Sequence, residues 1–156
     1  MSDPLDTTAK CSRTLTTVLR LSWTSCVVCA QVKFLDLTLP QYWLPQYHWV
    51  LSTEVLEHIK ADFETVVLDN IDRAASYGVV LSWAIPGQKG LHHVNNRLPE
   101  YVKSVMRKRG FQLDLPSSMK LRDATENAFL KRNLMVFYRQ WLCQYQYRLC
   151  YYYRQY

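Results

Sequence analysis

Hydrophobic and polar positions fall into readable periods only from residue 32 onward. Val32-Lys33-Phe34-Leu35-Asp36 is a short apolar run closed by an acid, and a loop containing Pro40 and Pro45 follows it. Trp49-Val50-Leu51-Ser52 reads as the next strand, with residues 54–59 as a short helix directly behind it. Between residues 62 and 75, Phe63, Val66, Val67, Ile71, Ala74 and Ala75 recur at helical spacing; Asp62 is placed as the N-cap and Tyr77-Gly78 as the stop. Residues 78–85 are almost continuously apolar, the pattern of a central strand covered on both faces. After a turn at residues 86–90, Pro99 opens a helix with Val102, Val105 and Met106 on one face and Gly110 past its end. Residues 111–115 and 133–138 read as two further strands, joined by a segment in which Asp123 and Glu126 resemble a capping box.

Strands alternating with helices predict an α/β layer with a mostly parallel sheet, finished by a C-terminal antiparallel pair. The flanks do not share the pattern. Residues 1–13 are polar; residues 14–30 are rich in Thr, Val, Leu and Trp and favour strand without a clean period. Residues 140–156 contain six Tyr, two Arg and no acid, and read as an unstructured tail. The chain therefore divides into a divergent segment 1–31, a domain 32–139 and a Tyr-rich tail 140–156.

Composition sharpens this picture at three points. The 156 residues contain only four glycines, Gly78, Gly87, Gly90 and Gly110, so no Gly-rich phosphate or nucleotide loop exists in the first 77 residues. The net charge of +6 is concentrated in residues 97–139, which carry 10 Lys/Arg against 4 Asp/Glu. Lys103, Arg107, Lys108 and Arg109 sit where cations favour a helix C-terminus, so the basic excess reads as a solvated helix face rather than a nucleic-acid footprint. Five cysteines, an odd number, argue against a secreted disulfide framework. Cys26-Val27-Val28-Cys29 has CxxC spacing, but no second pair or nearby His completes a zinc site, and two buried thiols are expected. No apolar run approaches the roughly 18 to 20 residues of a membrane span, and the first six residues are polar and acidic. A soluble cytoplasmic protein without membrane partners is expected.

Residues 34–139 carry a resemblance to the C-terminal two-thirds of a class I S-adenosylmethionine-dependent methyltransferase. FLDLTLPQYWLPQYHWVLSTEVLEHI is similar to the third strand, its loop, and the fourth strand running into the EHI helix of that family. YGVVLSWAIPGQKGLHHVNNR is similar to the fifth strand and the loop behind it; EYVKSVMRKRGF and NLMVFYR are similar to the late helix and the last strand. The resemblance implies a partial Rossmann-like methyltransferase sheet and a cofactor, S-adenosylmethionine. It implies that Asp36 accepts a hydrogen bond from the adenine amino group, and that Ser52 and Glu54 line the methionine end of the cofactor. It also implies His58 as a general base for a small-molecule acceptor and His93, in the loop with His92 and Asn95, as a substrate contact.

The same resemblance marks what is missing. Members of the family have a Gly-rich turn after the first strand and an acid after the second that holds the ribose. Residues 1–31 contain no Gly, and no acid follows Asp6 until Asp36. His48 stands where the family has an Asp. The expectation is a truncated methyltransferase-like protein with weak or lost cofactor binding, in which the strand at Trp49 is left as an edge open to self-association. The alternative is a non-catalytic interaction module using that sheet edge or the basic C-terminal third; a splice or gene-model fragment is the third possibility. No metal site is expected, because no histidine pair has the i, i+4 spacing of a helical chelate.

Overall fold

The computed structural model describes residues 34–140. The readings made for residues 1–33 and 141–156, including the CxxC pair and most of the Tyr-rich tail, lie outside the described residues.

Strand β1 (Tyr47–Ser52) leads through two single 3-10 turns into helix α1 (Glu64–Ala74), which runs without a break into β2 (Ala75–Leu81). A loop then reaches α2 (Pro99–Lys108), followed by β3 (Phe111–Asp114), α3 (Leu115–Ala124), α4 (Ala128–Asn133) and β4 (Met135–Arg139). The four strands form one sheet in the order β1-β2-β4-β3. β1 and β2 pair in parallel, as a strand–helix–strand crossover requires, while β4 pairs antiparallel with both β2 and β3. Three strands thus run one way and β4, inserted between two of them, runs against them. This is the mixed α/β sheet, mostly of one direction with an antiparallel C-terminal pair, that the sequence pattern predicts.

One core holds the layers together. Val67, Leu68 and Ile71 of α1 and Val102, Val105 and Met106 of α2 are buried with Val79, Leu81, Phe111, Met135 and Phe137 of the strands. Full burial of side chains of this size contributes roughly 1.5–3 kcal/mol each. Pro99 occupies the first turn of α2, and Gly110, at φ 76°, closes it as expected. The basic end of α2 is partly neutralised, because Arg109 pairs with Asp69 of α1 at 2.7 Å.

Four expectations are corrected. Residues 34–36 form no strand: Asp36 Oδ1 accepts from Thr38 N at 2.9 Å and from Thr38 Oγ1 at 2.6 Å, which turns the chain. Leu35 and Leu37 are nevertheless buried, because Asn70 of α1 brackets the segment, donating to Leu37 O and Leu39 O and accepting from Gln41 N. Asp62 does not cap α1; it lies in the 3-10 turn Ala61–Phe63, and the helix starts at Glu64 with no side-chain cap. Helix α1 ends at Ala74, not at Gly78, which lies within β2. Gly78 is there for space: a Cβ would run into the Trp49 indole and come within 2.7 Å of Phe137 O. Finally, the caps around β3 and β4 are Asp114, which accepts from Ser117 N, and Asn127, which accepts from Phe129 N and Leu130 N, rather than Asp123. No helix among the described residues is long and apolar enough to cross a membrane.

Candidate functional site

Ser52, Glu54, His58 and His93, of the polar residues singled out by sequence, lie in or just behind the ends of β1 and β2 and in the loops that follow them. Ser82 N donates to Ser52 O at 3.0 Å, so the two chains leave the sheet side by side. Two residues past β1, Glu54 adopts a left-handed backbone, φ 53°, which is unusual for a residue with a side chain. Its surroundings over-determine that conformation. Glu54 N donates to Ser82 Oγ at 2.8 Å, Ser82 Oγ donates to Glu54 Oε1 at 2.7 Å, and Gln88 Nε2 donates to Glu54 Oε2 at 3.1 Å. Gln88 is held in turn by Asn133 Nδ2 at 2.7 Å.

The expected helix at residues 54–59 is a single 3-10 turn, Leu56–His58. It buries Glu57 completely and leaves His58 partly exposed. The carbonyl of Glu57 accepts from Val94 N at 2.8 Å and Asn95 N at 3.0 Å, which draws the loop behind β2 over the turn. That places His93 on His58, edge to face, with ring centroids 5.0 Å apart. His93 Nδ1 lies 3.2 Å from Gln88 O, and its ring covers Gly90, where any Cβ would collide with the imidazole. Ring atoms and carboxylate meet: a ligand atom from each of Glu57, His58 and His93 lies within 4.8 Å of the other two.

Glu57 is the residue that sequence reasoning missed. Neither of its carboxylate oxygens has a hydrogen-bond partner. Burial is the main force pushing its pKa up to about 7; its own amide opposes the rise, the carboxyl of Glu54 adds to it, and the Ala84 amide opposes it more weakly. In the sequence Glu57 stood beside the more conspicuous His58, and nothing in its spacing showed which of the two would face inward.

The other candidates separate into different roles. Asn95 is 5% exposed and serves as a strut, its carbonyl accepting from Trp83 Nε1 at 2.6 Å and its amide donating to Glu64 Oε2 at 3.0 Å. His92, at φ 58°, is exposed in the loop behind β2, and His48 is exposed on β1. Asp36 is engaged by Thr38, and Ser52 Oγ is buried without a partner. His58 and His93 are thus brought together. Glu54 is tied to the pair through Gln88, which donates to Glu54 Oε2 and whose carbonyl meets His93 Nδ1; Ser52 ends β1, and Asp36 belongs to the segment held by Asn70.

No protein-family model and no curated protein matches this chain. Among solved structures, magnesium protoporphyrin IX methyltransferase (ChlM) from Synechocystis PCC 6803 with bound SAH is similar at a TM-score of 0.48 and 13% identity, over 67% of this chain and 49% of that one. A pericyclic reaction enzyme, and LepI in complex with SAM, are each similar at a TM-score of 0.43 and 16% identity, over 67% of this chain and 29% of theirs. The chain spans about half the length of the first of these and less than a third of the other two.

Proposed function

We propose that this chain is a methyltransferase-like α/β domain that keeps acceptor-side residues and binds S-adenosylmethionine weakly or not at all. The observation that supports the reading is the sheet: parallel β1 and β2, with the reversed β4 inserted before β3, present His58, His93, Ser52 and Glu54 at the carboxyl edge where open α/β sheets take their ligands. The sequence resemblance over residues 34–139 points the same way.

Among the described residues, the three that the resemblance assigns to the cofactor, Asp36, Ser52 and Glu54, do not form an open cradle for it. A cofactor cradle needs free acceptors facing an open cleft. Both oxygens of Glu54 already accept a hydrogen bond, from Ser82 and from Gln88, which holds the carboxylate to the protein. Oδ1 of Asp36 receives both donors of Thr38, and Ser52 is 3% exposed. Of the candidate residues at this edge, His58 and His93 are the partly exposed pair, able to hydrogen-bond a small polar acceptor or take its proton. Calorimetry with S-adenosylmethionine and with S-adenosylhomocysteine is therefore expected to show no micromolar binding; a micromolar dissociation constant for either overturns the reading.

A second reading, a non-catalytic module, is favoured by β1. Among the described residues it has no strand on its outer side, and it exposes Trp49 and Leu51 to 39% and 50%. On this reading a second copy of the chain pairs along that edge. Light scattering after size exclusion is then expected to show a concentration-dependent dimer that Leu51→Lys abolishes; a monomer at every concentration counts against it.

A further inference from the structure

We propose that Glu57, His58 and His93 form a binding site for a zinc-class divalent cation, a three-ligand centre with one position open to solvent. Two imidazoles and one carboxylate are the His2Glu donor set of zinc centres that keep an exchangeable site, whereas magnesium and calcium take oxygen ligands. The three ligand atoms lie within 4.8 Å of one another. With zinc bonds of about 2.0–2.1 Å, tetrahedral ligand atoms stand roughly 3.3–3.5 Å apart. The contraction needed is at most about 1.4 Å, within the reach of side-chain torsions of two partly exposed histidines.

Glu57 supplies the independent observation. A fully buried carboxylate with no hydrogen-bond partner on either oxygen is costly unless something meets it, and beside it stand the two imidazoles and the carboxyl of Glu54, a like charge that worsens the cost. A cation between them gives the carboxylate its partner and offsets its repulsion with Glu54. The His93 ring is already positioned by Gln88 O and by the space over Gly90. Because Glu57 closes the inner side and the histidines are partly exposed, the open position faces solvent, where water or a small oxygen-donor ligand completes the sphere. The i, i+4 rule applied to the sequence does not detect such a site: two ligands are adjacent on a 3-10 turn and the third arrives from a loop. The site stands independently of the methyltransferase reading.

The test is a titration of the reduced full chain with Co2+ and Zn2+ in competition with a chromophoric chelator. One equivalent is expected to bind, with the d–d absorption of a tetrahedral nitrogen and oxygen set and no thiolate charge-transfer band. His58→Ala and His93→Ala are each expected to weaken binding by more than about 100-fold, beyond the 10- to 100-fold typical of losing only a supporting partner. His93 lies in a loop, so its variant keeps the wild-type circular dichroism and reads the site rather than the fold. Glu57→Gln is expected to weaken binding comparably. The proposal is overturned if no equivalent binds, if both histidine variants bind as the wild type does, or if a thiolate spectrum persists in them, which would assign the metal to the cysteines.

Discussion

Trp83→Ala is expected to lower the unfolding free energy by about 3–5 kcal/mol, the range for removing a fully buried large aromatic. Trp83 is 1% exposed, directly behind β2, and its ring meets Tyr101 edge to face at 6.4 Å. The loss reaches beyond packing. Its Nε1 donates to Asn95 O at 2.6 Å, and Asn95 N donates to the Glu57 carbonyl, so the indole anchors the loop that sets His93 on His58. Trp83→Phe keeps most of the apolar volume but leaves Asn95 O without its donor, and is expected to cost about 1–3 kcal/mol. Urea denaturation followed by circular dichroism compares the two. Equal midpoints for Trp83→Phe and the wild type would show that the indole hydrogen bond does not hold the loop.

That dependence explains how much was legible in the sequence. β1, β2 and α2 follow from runs and periods contained within each element: Trp49 to Ser52, the apolar stretch after Gly78, and Val102, Val105 and Met106 behind Pro99. Errors occur where a distant residue decides. Gly78 reads as a helix stop by local rule, yet its position is fixed by the Trp49 ring from β1 and the Phe137 carbonyl from β4. The run ending in Asp36 reads as a strand by composition, but Asn70, more than 30 residues away, brackets it as a turn. Tertiary contacts overrode propensity in both cases.

The candidate site divides the same way. His58 and His93, both singled out in the sequence as residues behind the strands, are brought together by the structure. The chemistry of the site was not legible, because it depends on the direction in which Glu57 and His58 emerge from a tight turn. A helix at residues 54–59 would have projected these neighbours about 100° apart on one surface. The 3-10 turn instead buries one and exposes the other, while the loop carrying His93 is fixed by hydrogen bonds to a backbone carbonyl that no motif encodes.

Glu64→Ala is expected to cost about 3 kcal/mol at neutral pH, because this carboxylate gathers three donors that the substitution strands together. Arg97 Nη2 lies 2.8 Å from Oε2, Asn95 Nδ2 donates to the same oxygen at 3.0 Å, and Tyr101 OH donates to Oε1. Breaking a buried ion pair typically costs 3–5 kcal/mol; the lower end applies because the Arg97 side chain is 32% exposed and regains water. Burial by itself would raise the Glu64 pKa, but the hydrogen bonds from Tyr101, Asn95 and Arg97 outweigh it and hold the carboxyl below its ordinary 4.5. Between the folded and unfolded values the unfolded chain binds the extra proton, so stability rises with pH there. Glu64 therefore contributes fully above about pH 4.5, and its contribution is lost as pH falls through the depressed folded value. Glu64→Gln removes that titration while keeping the shape, so the stability gap between wild type and variant should narrow as the medium is acidified. Urea midpoints measured from pH 7 down to about pH 3 decide it. A gap constant with pH would mean that Glu64 acts through packing alone, leaving the loop from Trp83 to Arg97 held by its backbone hydrogen bonds rather than by this charge.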